Sequence, residues 1–265
     1  MNIKLMNRKF KDYYMQEKII NRILPELQYY ETAFIPSLPT SFQIIRKIRI
    51  VTSNDYKYRI SDIYDKNLSN VFSFYLSLTT YKHGFPIYDF WEARHNIDYK
   101  QNYDKRLQEM FSGYDWLIDI DCPDYKLIKT AQEDVINIYK YLESKEFQIK
   151  EVNFSGRGFH VVIPYSSLIE NKIEFVKNLD NRKDKNIYKT LFEFTKLLNT
   201  KLSELVDFGV NDSRRIRKVP DSLVYNPLKS SLVYKVVSMK NISEIEQFNY
   251  KKDAVVDIKL PVEQW

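Results

Sequence analysis

FQIKEVNFSGRGFHVVIPY, residues 147–165, is two strand-like runs on either side of Ser155, Gly156, Arg157 and Gly158. Both flanks are rich in Phe, Val and Ile, and glycine supplies the backbone freedom of a tight reversal. The stretch is therefore predicted to be a strand, a turn and a returning strand HVVIPY, paired as an antiparallel hairpin. The chain has only 5 glycines and 3 histidines, yet two of the former and His160 fall within six residues here. A plain structural turn accounts for the glycines; it leaves Arg157 and His160 unexplained. The same turn offers backbone N–H groups, a serine hydroxyl and a forked guanidinium, a set suited to holding phosphate oxygens.

Outward from the hairpin, the pattern alternates between elements. Residues 8–29 have apolar positions at helical spacing, interrupted near Pro25. SFQIIRKIRIV (41–51) and VFSFYLSLTTY (71–81) are predicted strands, and 91–115 reads as loop and helix. WLIDID (116–121) is a strand. TAQEDVINIYKYLESK (130–145) is a helix with Val135, Ile138, Tyr139 and Leu142 on one face, and 184–203 is the most helical segment. ELVDFGV, RRIRKVP and SLVYKVV follow as short strands. The order implies an α+β fold of largely antiparallel sheet with helices packed on it.

At 265 residues, with 44% hydrophobic and 15% aromatic residues, the chain has enough apolar material for a sizeable core. The net charge of +6 weakly favours an anionic partner such as nucleic acid. A single cysteine, Cys122, excludes an internal disulfide and a cysteine-rich zinc module. The N-terminal stretch MNIKLMNRKF has no apolar run of signal or membrane-span length, so a cytoplasmic protein with no membrane partner is expected. No internal repeat or linker marks a boundary, and the expectation is one domain over 1–265: an N-terminal α/β module (1–110), a metal- and nucleotide-binding module (111–240) and a C-terminal segment (241–265).

In a strand, residues i and i+2 share a face, so Asp119 and Asp121 point together while Ile118 and Ile120 point to the other side. Two carboxylates held this close repel unless a cation lies between them, and hard oxygen ligands suit Mg²⁺ or Mn²⁺. A D-x-D pair alone is equally compatible with a solvated strand end. Asp207, between Val206 and Phe208, repeats the context, with an ion pair to a nearby arginine as the plainer reading. SRRIRKVP (213–220) then sets Arg214, Arg215, Arg217 and Lys218 beside it in sequence. A basic run is commonly a solvated face; next to a candidate metal ligand it also fits phosphate binding.

The ordered set DIDCPD, SGRGFHVVI, VDFGV and RRIRKVPDSL resembles the catalytic core of the archaeo-eukaryotic primase superfamily. The resemblance covers roughly residues 70–240 and includes FYLSLTTY and Trp116 upstream. It implies the primase catalytic fold, with an RRM-like module flanked by helices. It also implies a two-metal Mg²⁺ or Mn²⁺ site at Asp119, Asp121 and Asp207, and a nucleotide site from Ser155, Gly156, Arg157, Gly158, His160, Arg215, Arg217 and Lys218. The implied activity is a DNA-template-dependent primase-polymerase that starts and extends primers on single-stranded DNA from nucleoside triphosphates.

Two features depart from the family pattern. With one cysteine there is no zinc knob, so no zinc is expected, and the histidine that often follows Ser-Leu is Val224. Strict strand alternation would also place Arg215 and Lys218 on opposite faces. A zinc-free core points to stand-alone primase-polymerases of mobile elements, end-joining systems or CRISPR adaptation loci. The CRISPR-associated branch is the expectation, with a further C-terminal domain or accessory protein beyond PVEQW. Three alternatives stay open: an end-joining or gap-filling polymerase that extends without initiating, a two-metal nuclease, and a non-enzymatic nucleic-acid binding module. His83 and His95 receive no role, and Cys122 is expected to be a small filler beside the site.

Overall fold

The computed structural model describes residues 3–36, 45–65, 72–89, 91–170, 185–212, 215–224 and 232–258. Arg214, the first four residues of the strand expected over 41–51, Val71, Asp184, Ser231 and the closing PVEQW lie outside the described residues. The chain opens with helices α1 (Ile3–Tyr14) and α2 (Glu17–Leu27), strands β1 (Tyr30–Pro36) and β2 (Ile45–Ile48), helix α3 (Ser53–Asp65) and strand β3 (Phe72–Tyr81). Next come α4 (Glu92–His95), α5 (Ile97–Met110), β4 (Phe111–Tyr114), β5 (Trp116–Asp121), α6 (Ile128–Ser144), β6 (Glu151–Phe154) and β7 (Gly158–Ile163). Helices α7 (Tyr165–Glu170) and α8 (Lys185–Lys201) precede β8 (Val206–Asp207), β9 (Ile216–Lys218), β10 (Leu223–Val224), β11 (Val233–Lys235), β12 (Val237–Met239), α9 (Ile242–Gln247) and β13 (Val255–Val256).

The opening helical stretch breaks at Met15 and Gln16, and Pro25 lies inside α2. Pro25 is in the last turn, where few later residues depend on the interrupted hydrogen-bond ladder. The SLVYKVV run divides between two sheets: β11 pairs with β10 and β13, whereas β12 pairs with β6.

Every described strand pairing is antiparallel. The segment β5-α6-β6-β7-α8-β8 forms a central sheet ordered β12-β6-β7-β5-β8. Leaving β12 aside, this is the split β-α-β-β-α-β arrangement expected of an RRM-like module. A second sheet runs β2-β1-β3-β4, with β9 also on β3, and a third runs β10-β11-β13. Strand β3 is long enough to share one edge: Tyr75–Ser77 pair with β9, and Thr79–Tyr81 with β4.

Ile118, Ile120, Phe159 and Val161 of the central sheet are buried in one core with Val135, Ile138 and Leu142 of α6 and Ile187 and Leu191 of α8. Each such side chain contributes roughly 1.5–3 kcal/mol on leaving water. A second core unites α1, α2 and α3 with the second sheet. Phe74 sits at its centre, edge-on to Tyr14 (5.1 Å) and Phe34 (4.9 Å) and stacked on Tyr56 (5.5 Å). With one face of the central sheet taken by α6 and α8, its polar residues gather on the other.

Candidate active site

Strand register assembles the site. Asp207 lies opposite Asp119, Asp119 opposite His160, His160 opposite Asn153, and Asn153 opposite Ser238. Directly opposed residues of antiparallel strands project to the same face, so five polar side chains form a row across four strand boundaries. Asp121, two residues along β5, shares that face. The alternation seen in WLIDID is thus realised, with Ile118 and Ile120 fully buried and both aspartates partly exposed. Asp207 also starts a short 3₁₀ turn, its Oδ1 accepting from the Gly209 N–H at 2.8 Å.

The turn before β7 closes through the Ser155 N–H donating to the Gly158 carbonyl at 2.8 Å. Gly156 has φ +96°, and a Cβ there would lie 2.6 Å from Val224 Cγ1. A Cβ on Gly158 would lie 2.0 Å from the Ile120 carbonyl oxygen. One glycine is therefore required by backbone conformation and a close neighbour, the other by the approach of β5. Val224, which stands where the primase pattern often has histidine, packs over this turn. Arg157 reaches back across it: Nε donates to Asp121 Oδ1 at 2.8 Å and Nη2 to Oδ2, a two-pronged grip.

Lys218 completes the surround, its Nζ donating to the Ser155 carbonyl at 2.7 Å. Arg215 precedes β9, so strand alternation does not govern it, and both Arg215 and Lys218 bear on Asp119. The Arg215 guanidinium also donates to the Val210 carbonyl at 2.5 Å. Burial, then the Asp121 and Asp207 charges, push the Asp119 carboxyl up to about 6 against the pull of these two cations. Burial lowers Lys218 to about 8, opposed by Asp119. Burial together with Lys218, Arg217 and Arg215 pulls His160 down to about 3, so its imidazole is neutral at physiological pH. His160 Nε2 lies 3.5 Å from Asp119 Oδ1.

Arg217 does not join the other cations, contrary to its expected place in the nucleotide site. Its side chain is fully buried, with Nη1 2.7 Å from Glu151 Oε1 and Nη2 3.6 Å from Glu26 Oε2. Burial works against the guanidinium charge, and Glu151, Tyr30, Glu26 and Asp115 together more than offset it. The physical reason is the strand: Arg217 lies between Ile216 and Lys218 and so faces away from the side that Lys218 presents. Around this pair, Ser238 Oγ donates to Glu151 Oε2 (3.1 Å) and Lys150 Nζ to the Tyr30 hydroxyl (2.7 Å). Glu151 and Asn153 were missed at sequence level, although polar residues at i and i+2 of an otherwise apolar strand were the legible signal. Cys122 is buried, and burial followed by the Asp121 charge raises its thiol to about 11, away from reactivity.

Among the described residues, no group of three or more His, Cys, Asp or Glu side chains is disposed to hold a metal ion as it stands. None of their helices is long and apolar enough to cross a membrane. The architecture defines an α+β class of antiparallel sheets flanked by helices, with a β-α-β-β-α-β centre. It is shared with the polymerase domain from Mycobacterium tuberculosis Ligase D, solved in complex with DNA: the TM-score is 0.51, over 91% of this chain and 83% of that chain, at 10% sequence identity. At such identity the likeness is one of fold. No protein-family model and no curated protein matches the sequence.

Proposed function

We propose that this chain is a nucleotidyltransferase of the primase-polymerase kind, starting and extending primers on single-stranded DNA from nucleoside triphosphates. The observation that carries the reading is the cross-strand row Asp207, Asp119 and His160, with Arg215 and Lys218 bearing on Asp119 and Arg157 gripping Asp121. The fold likeness to a polymerase domain supports it.

The donor set fits divalent cations of the Mg²⁺ or Mn²⁺ type: three carboxylates supply hard oxygen ligands. Asp119 holds its proton unusually tightly because of burial and its acidic neighbours, the electrostatic state a cation would relieve, and the Arg157 fork supplies positive charge at Asp121. Asp119, Asp121 and Asp207 would hold such ions, which when bound activate a hydroxyl nucleophile and neutralise charge on the triphosphate.

Arg157 would exchange its Asp121 partner for phosphate oxygens, preserving its two-pronged geometry. The Ser155 hydroxyl and the turn's N–H groups would complete the cradle. Lys218, tied to the Ser155 carbonyl, holds the turn at a fixed distance from Asp119 while adding charge. His160, uncharged, can serve as a hydrogen-bonding group without repelling the surrounding cations.

The test is purified protein with unprimed single-stranded DNA, Mn²⁺ or Mg²⁺, and ribo- or deoxynucleotides supplied separately. Products from dinucleotides upward, lost in Asp119→Ala and Asp207→Ala, support the reading. Extension only of an added primer identifies a gap-filling or end-joining polymerase, and shortened template a nuclease. Unaltered function in both variants would refute carboxylate catalysis and leave a binding module.

A further inference from the structure

A second cationic site lies at the outer edge of the second sheet. A cavity of about 490 Å³ there is lined by Lys47, Arg49, Arg59, Asp55, Ile87 and Tyr88, among others. Three cations face one carboxylate, and that carboxylate is engaged: Asp55 Oδ2 accepts from the Thr52 N–H at 3.0 Å, and the Asp55 N–H donates to Thr52 Oγ1 at 3.1 Å. Among the described residues, neither Lys47 nor Arg49 has a carboxylate partner for its side chain, and Arg49 Nε is buried with no hydrogen-bond partner. An unpaired buried guanidinium N–H is costly unless a ligand satisfies it.

Lys47 is held there against its own backbone preference. Its φ is +62°, a left-handed conformation uncommon for a residue with a side chain. The Lys47 N–H donates to Glu31 Oε1 at 3.0 Å, and Nζ stands 3.9 Å from the Tyr88 ring centroid. The rim is apolar, with Ile87 68% exposed.

Position narrows the ligand. The site sits at β2, which is three strand spacings from β9 through β1 and β3, and β9 carries Lys218. At ~4.8 Å per spacing that is about 15 Å from β9 and its Lys218, so the cavity is set apart from the cations at the carboxylates. The lining offers cations and apolar surface but no uncommitted carboxylate to read a base edge. It therefore suits a phosphodiester backbone gripped without regard to sequence.

We propose that Lys47, Arg49 and Arg59 hold backbone phosphates of the single-stranded template as it runs beyond the active site, an assignment that rests on the function proposed above. Ile87 supplies apolar surface for a flanking base.

The experiment is fluorescence anisotropy of a labelled oligo-dT across a salt series, with thermal unfolding as the check on folding. The expected result is a log affinity against log salt slope reduced by about 1.4 in Lys47→Gln/Arg49→Gln, from ~0.7 per phosphate contact on a single strand. Arg59→Gln, an exposed helix position with little risk to folding, should lose about half as much. Lys129→Gln/Lys251→Gln, at a separate cavity beside α6, should leave the slope within error. An unchanged slope in the Lys47 and Arg49 variant overturns the site, as does an equal loss in the Lys129 and Lys251 control. Competition by a free nucleoside triphosphate in preference to the oligonucleotide also overturns it, as does wild-type protein that fails to bind the oligonucleotide. Wild-type protein that binds the strand through these residues but incorporates no nucleotide upholds this site and removes the proposed function.

Discussion

Replacing Asp119 by Asn should stabilise the metal-free protein while abolishing nucleotide incorporation. Burial and the adjacent Asp121 and Asp207 raise its carboxyl from 3.8 to about 6. A difference of about 2 pH units at 1.36 kcal/mol each is about 3 kcal/mol. The folded state binds this proton more tightly than the unfolded chain, so the stability it confers is complete below about pH 4 and is lost as pH rises through about 6. A neutral amide keeps that stability at every pH. In EDTA at pH 8, Asp119→Asn should therefore unfold up to about 6–12 °C above wild type, at about 2–4 °C per kcal/mol for a chain of this size. By pH 4.5 the difference should shrink to about a third of that, as wild-type Asp119 itself becomes protonated. Thermal unfolding followed by circular dichroism at the two pH values measures both. Equal or lower stability of the variant at pH 8, or a gain that does not depend on pH, would refute the picture of a buried carboxylate beside two like charges. Added Mn²⁺ should raise the wild-type midpoint more than that of the variant.

Gly158→Ala should cost about 2 kcal/mol or more in urea unfolding, because its Cβ meets the Ile120 carbonyl at 2.0 Å and β5 must part from β7. A cost under about 0.5 kcal/mol would show that the strands yield freely. Arg217→Met should lose roughly 3–5 kcal/mol by leaving Glu151 buried beside no guanidinium, and adding Glu151→Met should restore most of it. Failure of the double variant to recover would mean that packing, not charge, is at stake. Arg157→Lys should raise KM for the triphosphate about tenfold with a smaller change in kcat, since an ammonium cannot reproduce the fork. An unchanged KM in steady-state incorporation would remove Arg157 from triphosphate binding.

The glycines of the 153–165 stretch illustrate how far pattern reading carries. Their density marked a turn, and the apolar flanks marked its strands; both depend on interactions among residues close in the chain. That Gly156 is pressed by Val224, or Gly158 by Ile120, involves partners distant in sequence. The pairing of Asp119 and Asp121 was likewise legible, because it follows from a local period of two.

Local periodicity therefore establishes the elements, the antiparallel hairpin and the paired aspartates, since each follows from backbone geometry over a few residues. Folding settles the rest. The register of β5 against β8 brings Asp207 to Asp119, and one more residue of β9 turns Arg217 into the core while Lys218 faces the carboxylates. Among the described residues, sheet packing leaves the Lys47 and Arg49 side chains without an ion-pair partner at an outer edge. These outcomes depend on which strand neighbours which, and a one-residue slip would exchange the buried and carboxylate-bearing faces.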